Sequence, residues 1–318
     1  MMTLLHERLS RRFRAAATPP GCQVYCYHGV VHQRQDVRLE RNFHVIEDFR
    51  QQVQFIRRKP VTALGRFVDA LSGHGKSGPL SAAITFDDGY ANNLLAAETL
   101  AEAKLPWVLF VTTSAVGRQG AIWTVELSLL LLHGDSESVE ALEKVWKLKT
   151  REDRESAFQA IRYPMKGMPA ASRRAALDAL RAQFPPAETQ RLLERFPSFQ
   201  MLTWTELRQL AAAGVEIGSH GVDHELHHAA QDPEVRRREL VESKREIEQQ
   251  LGRPCRFFAF PNGDHCEHSA REVEAAGYEL AFTTQPGLVR ADCNRFLLPR
   301  VSPGGSTTKL KQQLRELQ

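Results

Sequence analysis

Short apolar runs alternate with longer amphipathic stretches along most of this chain. Apolar positions recur at helical spacing, among good helix-forming residues, and predict helices at 49–55, 91–103, 234–251 and 269–276. Seven apolar runs have the length of buried strands, at 22–28, 82–86, 107–112, 215–219, 256–260, 280–284 and 296–301. Because strands that alternate with helices form parallel sheets, the pattern predicts an α/β fold with a parallel sheet.

One segment, 118–200, is too long for a simple connection between two of these strands. It is rich in Ala, Leu, Arg and Glu, and Gly and Pro divide it into five predicted helices at 123–132, 138–146, 151–161, 170–184 and 187–195. Such an insertion would serve either as a lid or docking surface for substrate, or only as cover for an apolar flank of the barrel. The chain of 318 residues, 42% of them hydrophobic, is predicted to form one domain, 1–318, that includes the insertion.

Two adjacent carboxylates, Asp87 and Asp88, directly follow the apolar run at 82–86. Like charges at the end of a buried strand repel each other unless a cation or a proton holds them together. An Asx turn that caps the next helix is the structural alternative. The pair therefore indicates either an active site or a helix cap.

A second polar group follows the apolar run at 215–219, where His220 and His224 lie four residues apart. Two histidines at this spacing can face the same way on a helical turn, and imidazole is a common ligand of zinc and similar ions. Together with Asp88 they would supply three ligands and leave an open position for water, while Asp87 would remain free as a general base. A solvated, His-rich loop is the alternative, because His227 and His228 are close by.

The run Thr85-Phe86-Asp87-Asp88-Gly89, with Ser219-His220 and His224, resembles the motifs of the NodB-type polysaccharide deacetylases, a family of carbohydrate esterases. The resemblance implies a distorted (β/α)7 barrel. It also implies that Asp87 is the catalytic base and that Asp88, His220 and His224 bind a divalent metal. Zinc is the first expectation, and cobalt, nickel, manganese and iron also suit this ligand set.

Phe258-Ala259-Phe260-Pro261-Asn262-Gly263 resembles a third motif of the family and places Pro261 and Asn262 among the expected substrate-binding or orienting residues. The aromatic residue usual there is replaced by Asn262, and the usual arginine is not in its expected place. Arg300, at the end of the last predicted strand, is a candidate to orient Asp87, with an ordinary surface arginine as the alternative.

The family also uses a histidine as general acid, and no Leu-x-His sequence follows Gly287. The apolar run at 22–28 ends in His28, an arrangement similar to the permuted subgroup that includes poly-N-acetylglucosamine deacetylases. His28 is therefore the expected general acid. Its alternative role is that of a histidine bonded to the backbone at a strand end.

The net charge and the cysteine content indicate which kinds of partner and which cellular compartment to expect. The net charge of +4 gives no indication of nucleic acid binding. No secretory signal or membrane-spanning run is evident, and five cysteines without a Cys-x-x-Cys pair fit a cytoplasmic protein. A basic amphipathic segment at 4–14 is expected to be either a frayed surface helix or a peripheral membrane contact at the inner face.

The expected function is metal-dependent hydrolysis of the N-acetyl group of an amino sugar, in a polysaccharide or in a lipid-linked or nucleotide-linked glycan. A deformylase and a cyclic-amide hydrolase would use nearly the same residues. A non-catalytic glycan-binding protein is a further alternative, as is a zinc protease built on the His-Glu-x-x-His match at 224–228. The sequence leaves the acyl group, the sugar and the oligomeric state open.

Overall fold

The computed structural model describes residues 21–71, 82–117 and 121–317. The strands are β1 (Gln23–Tyr27), β2 (Gly29–Val31), β3 (Phe43–Val45), β4 (Ala82–Phe86), β5 (Val108–Val111), β6 (Ser138–Ala141), β7 (Lys144–Lys147), β8 (Glu216–Ser219), β9 (Phe257–Ala259), β10 (Leu280–Pro286) and β11 (Leu298–Arg300). The helices are α1 (Ile46–Ile56), α2 (Gly65–Leu71), α3 (Asn93–Glu102), α4 (Trp123–His133), α5 (Arg151–Lys166), α6 (Ala170–Arg181), α7 (Glu188–Arg195), α8 (Trp204–Ala212), α9 (Pro233–Leu251), α10 (Ser269–Ala275) and α11 (Thr307–Glu316).

Seven parallel strands form the main sheet, in the order β1-β4-β5-β8-β9-β10-β11. The two edges meet, because the Cys26 amide donates to the Val301 carbonyl at 2.8 Å and the Val301 amide donates to the Val24 carbonyl at 2.8 Å. Each strand of the sheet falls on one of the seven apolar runs, and the four helices predicted between them are present. The distorted (β/α)7 barrel is confirmed.

The strands are buried on both faces, which explains why they appear in the sequence as continuous apolar runs. In β1, Val24 packs with strand residues such as Phe110 and Phe282 in a cluster drawn mainly from the sheet. Its neighbour Tyr25 packs in a second cluster that includes residues of the surrounding helices, such as Phe49. Successive side chains thus fill the barrel interior and the layer between strands and helices.

The insertion has its own apolar core, formed by α4, α5, α6 and α7 together with barrel residues such as Phe43 and Tyr90. Four of the five helices predicted in this segment are present. The helix predicted at 138–146 is wrong, because β6 and β7 form an antiparallel hairpin there. Leu142 and Glu143 both have positive φ in its two-residue turn, a conformation that usually takes Asn or Gly and that this sequence does not signal.

The expected location stays a prediction. The basic segment at 4–14 lies outside the described residues. Among the helices that are described, none has the length and apolar content needed to cross a bilayer. All five cysteines are described, and none of them is in a disulfide.

Candidate active site

The carboxyl ends of the barrel strands bring the predicted site residues together. His28 follows β1, Asp87 and Asp88 follow β4, and His220 follows β8. These four residues line one cavity, with His224 and Asn262. Pro261 is buried beside Asn262, and Arg300, the last residue of β11, lies buried beneath Asp87.

Asp87 and Arg300 form a bidentate pair inside the barrel. Arg300 Nη1 donates to Asp87 Oδ1 at 2.8 Å and Nη2 donates to Oδ2 at 2.7 Å, and the Arg300 side chain is 0% exposed. Its Nε donates to the Thr283 carbonyl, which orients the guanidinium plane. Burial raises the pKa of Asp87, but the charges of Arg300 and His220 outweigh burial and hold that pKa below its ordinary value. Asp87 is therefore held as a carboxylate.

Asp88 lies against both histidines. Its Oδ1 is 3.3 Å from His220 Nε2 and 3.4 Å from His224 Nε2. His220 Nδ1 lies 2.8 Å from the Ala259 carbonyl and donates to it, so Nε2 is the ring nitrogen that faces Asp88 and that could bind a metal ion. The indole Nε1 of Trp123 donates to the His224 carbonyl at 3.0 Å and fixes that residue from the insertion.

The three side chains fit a metal ion. One ligand atom from each of Asp88, His220 and His224 lies within 4.8 Å of the others, and all three residues are buried. Asp88 Oδ1 has no hydrogen-bond partner, although a buried carboxylate oxygen normally has one. Burial raises the pKa of Asp88, but the neighbouring imidazoles hold it well below its ordinary value, so the oxygen is ionised and available as a ligand.

A second set of possible ligands, Cys26, His28 and Asp87, is a poorer metal site. Both oxygens of Asp87 accept hydrogen bonds from Arg300. Burial raises the pKa of the Cys26 thiol well above its ordinary value, and the thiol donates to Asp87 Oδ2 at 3.4 Å. Because thiolate rather than thiol binds metals, this set lacks a free anionic ligand.

Sequence reasoning missed Glu239, a fully buried residue of α9. Its carboxylate accepts hydrogen bonds from the backbone amides of Val222, Asp223 and Glu225, at 2.9 to 3.2 Å. Gly221, with φ of 85°, lets the loop pass so close that an added Cβ would lie 2.5 Å from Glu239 Oε2. The carboxylate thus shapes the loop that joins His220 to His224, and the charged stretch around it gave no sequence signal of this role.

Glu239→Gln is expected to weaken metal binding about 10- to 100-fold, the usual effect of losing support behind metal ligands. An amide has only one acceptor oxygen, and its NH2 group would face the loop amides. Metal titration by calorimetry measures the effect, with Glu246→Gln in the same helix as the control. An unchanged metal affinity would show that the loop keeps its shape without this carboxylate.

The insertion forms one wall of the cavity. Trp123 and Thr124 of α4 line it, as do Phe158, Arg162 and Lys166 of α5. Of the two roles expected for the insertion, this placement favours contact with substrate. Glu126, by contrast, accepts two hydrogen bonds from the Arg181 guanidinium and does not line this cavity.

The structure does not support the zinc protease motif. Residues 224–228 are not helical, and His224 has φ of 58°. Glu225, which would be the protease base, forms a buried ion pair with Arg173. His228 Nε2 lies 3.3 Å from the Met168 carbonyl, away from Asp88. The motif requires its residues on one face of a helix.

Fold and site together define a barrel in which three side chains that could hold a metal ion lie beside an arginine-held carboxylate. The polysaccharide deacetylase family model matches residues 74–281. YxkH of Bacillus subtilis (strain 168), whose name refers to the same family, is 30% identical over 107 residues. That match spans 33% of this chain and 38% of YxkH.

Two solved structures share the fold over nearly the whole chain. The deacetylase PplD of Streptococcus pyogenes, solved in complex with acetate, superposes with a TM-score of 0.60 at 17% identity, covering 93% of this chain and 99% of PplD. IcaB from Ammonifex degensii superposes with a TM-score of 0.58 at 17% identity, covering 93% of this chain and 96% of IcaB. The chain belongs to the polysaccharide deacetylase family, a family of hydrolases that act on non-peptide carbon–nitrogen bonds.

Proposed function

We propose that this protein is a metal-dependent deacetylase that hydrolyses the N-acetyl group of an amino sugar in a polysaccharide or a lipid-linked glycan. Family membership supports deacetylation. The observation that carries the proposal is the adjacency of two carboxylates with different surroundings. Asp87 is held by Arg300, and Asp88 is set against two imidazoles.

Asp88, His220 and His224 would hold the metal. A bound divalent ion supplies Lewis acidity toward the acyl carbonyl and lowers the pKa of water. Two imidazoles and one carboxylate suit zinc, and cobalt, nickel, manganese or iron are the alternatives. Since His220 is already fixed in the tautomer that offers Nε2, little reorganisation is needed for binding.

Asp87 is the proposed general base. It accepts a proton from the attacking water as the water oxygen bonds to the acyl carbon. Its bidentate contact with Arg300 keeps it ionised and fixes the direction in which its oxygens face. A base held in this way offers a constant geometry to the incoming water.

His28 is the proposed general acid. A ring nitrogen of His28 lies within 4.8 Å of an Asp87 oxygen, so both residues face the same reacting centre. His28 donates a proton to the sugar nitrogen as the carbon–nitrogen bond breaks. The products are acetic acid, which ionises to acetate, and a free amine. Water supplies the hydroxyl group on the acyl carbon, Asp87 takes the proton that this water loses, and the amine nitrogen gains the proton of His28.

Pro261 and Asn262 are proposed to orient the sugar. Asn262 has a positive φ of 57°, and its side chain lies between Lys166 and Asp264 in the cavity wall. Thr284 supports the turn by donating to the Asn262 carbonyl at 2.9 Å. This turn replaces the aromatic residue usual in the family with an amide that can hydrogen-bond to hydroxyl groups.

A cytoplasmic location, at the inner membrane face, belongs to the proposal. The support for it is that none of the five cysteines is in a disulfide, which is typical of a reducing compartment. Substrate would then be a glycan precursor rather than a finished extracellular polymer. Cell fractionation of the native protein tests the location, and recovery from the exported fraction would contradict it.

Asp88→Ala is expected to lose both bound metal and acetate release. Removing one of three protein ligands eliminates the only anionic one. Metal content by mass spectrometry and acetate release from N-acetylated amino-sugar polymers and lipid-linked sugars measure the two effects. If wild-type protein binds metal but releases formate instead of acetate, the substrate is a formamido sugar and the acyl assignment is wrong.

A further inference from the structure

One wall of the catalytic cavity carries an excess of positive charge. Arg41 comes from the loop between β2 and β3, and Arg162 and Lys166 lie one turn apart on α5. A fourth cation, Arg38, is paired with Asp36 at 2.6 Å. Among the described residues, no carboxylate oxygen lies within 4.0 Å of the charged nitrogens of the other three.

Within this group, Arg162 has hydrogen-bond donors that lack an acceptor. The residue is only 7% exposed, yet its Nε and Nη1 atoms are buried without a hydrogen-bond partner. Its Nη2 donates to the Tyr163 hydroxyl at 2.6 Å, and the guanidinium packs over the Phe158 ring. Unpaired, buried N–H groups of a guanidinium cost free energy, so this arrangement is incomplete without an acceptor.

The three cations are close enough to influence one another. Burial lowers the pKa of Lys166, and the charges of Arg162 and Arg41 lower it further, against the opposing effect of Asp264. Burial also lowers the pKa of Arg41, and the charge of Glu155 opposes that effect. Neither carboxylate lines the cavity, so neither neutralises the surface that a ligand would meet.

The cationic wall faces the reacting centre. Lys166 Nζ donates to Asn262 Oδ1 at 2.5 Å, and both residues line the cavity. The same cavity is lined by Asp88, His220 and His28. A substrate whose acyl group lies at Asp88 would therefore place its neighbouring substituents against Arg41, Arg162 and Lys166.

We propose that Arg41, Arg162 and Lys166 form an anion subsite that binds a phosphoryl group attached to the amino sugar. Three cations without a carboxylate oxygen within 4.0 Å match the charge of a phosphate or diphosphate better than that of a single carboxylate. The Nε and Nη1 atoms of Arg162 have no acceptor among the described residues, and phosphate oxygens are acceptors that a guanidinium binds by charge-assisted hydrogen bonds. This inference rests on the proposed function and narrows its substrate to sugars linked through phosphate.

The first test measures binding rather than turnover. Inorganic pyrophosphate is titrated by calorimetry, at low ionic strength, into wild type, Arg162→Gln, Lys166→Gln and Arg151→Gln. Arg151 is an exposed residue of the same helix outside the cavity, so it is a matched control. We expect each cavity variant to weaken binding at least about tenfold, the usual effect of losing a charge-assisted hydrogen bond, and the control to be unchanged.

Pyrophosphate also binds divalent metals, so the titration is repeated with Asp88→Ala. Binding that persists in Asp88→Ala and is lost in Arg162→Gln supports the subsite. If pyrophosphate binding is lost in Asp88→Ala and is unchanged in Arg162→Gln and Lys166→Gln, the subsite proposal is overturned. The anion would then be bound by the metal ion. Thermal unfolding of each variant verifies that it is folded. If Arg162→Gln is not folded, Lys166→Gln takes its place in the comparison.

The second test compares substrates that differ only in their phosphoryl group. Acetate release is measured from a neutral N-acetylglucosamine oligomer, from a nucleoside diphosphate N-acetylglucosamine and from a prenyl diphosphate N-acetylglucosamine. For a phosphorylated substrate, we expect Arg162→Gln to lower kcat/KM at least about tenfold through KM, and to change the neutral substrate less than about threefold. The phosphorylated substrate that wild type prefers identifies whether a lipid or a nucleotide carries the phosphate.

Failure of the subsite and failure of the deacetylase proposal give different results. Equal loss of activity on neutral and phosphorylated substrates in Arg162→Gln overturns the subsite and leaves deacetylation intact. Arg162-dependent pyrophosphate binding without acetate release from any substrate supports the subsite and contradicts the acyl group or the reaction. A carboxylate-bearing glycan bound through Arg162 in preference to phosphorylated ones also overturns the phosphoryl assignment.

Discussion

Asp87→Asn is expected to lower kcat about 10²- to 10⁴-fold, the range that general acid–base catalysis contributes. Asparagine keeps the size of the side chain but cannot accept a proton from water. Because Asp88, His220 and His224 are unaltered, the variant should retain bound metal. Acetate release and metal content, measured on the same preparation, separate loss of the base from loss of the metal.

A matched control is available in Asp178→Asn, an exposed carboxylate on α6 that pairs with Arg181. It should release acetate at the wild-type rate. Asp87→Asn protein that lost its metal would assign Asp87 a ligand role. Undiminished turnover would show that Asp87 is not the general base, and the histidines would then be the candidates for that role.

Arg300→Met is expected to cost about 3 to 5 kcal/mol in the free energy of unfolding, because it leaves the buried Asp87 carboxylate without its partner. The guanidinium donates to the two Asp87 oxygens, to the Thr85 hydroxyl and to the Thr283 carbonyl. Arg300→Lys should recover only part of this loss, since an ammonium cannot form the bidentate contact. Denaturant unfolding measures the loss, with Arg271→Met, an exposed arginine on α10, as control.

The same variant should change the pH dependence in a definite direction. Arg300 holds the pKa of Asp87 low, so the pair contributes stability above the unfolded pKa of about 3.9 and loses it as pH falls through the folded pKa. Without Arg300, burial raises that pKa. The acidic limb of kcat/KM should then move to higher pH, and the difference in stability from wild type should shrink as pH falls. An unmoved acidic limb would show that another group controls it.

The barrel was predictable because its strands are buried on both faces. Such strands appear as apolar runs, and all seven were found within a few residues of their ends. The hairpin at 138–147 was not predictable by the same reasoning. Its turn uses Leu142 and Glu143 at positive φ, and its exposed edge leaves Val145 without a hydrophobic environment.

The roles of the site residues are harder to predict than their presence. The sequence shows that Asp87 and Asp88 are adjacent. Their different surroundings come from Arg300 and His220, which are distant from them in the chain. Glu239 acts through backbone amides, which have no residue-specific signature in the sequence. The free donors of Arg162 appear only when the side chain is seen buried among its neighbours.

The sequence by itself determined the class of fold and the chemical groups of the site, because burial and metal binding demand particular residue types at particular spacings. The tertiary structure decided which of these groups touch. Closure of the barrel between β1 and β11 brings His28, Asp87 and Arg300 to one end, and packing of α5 over that end adds the cationic wall. Contacts between residues distant in the chain depend on how the elements pack, which local patterns do not encode.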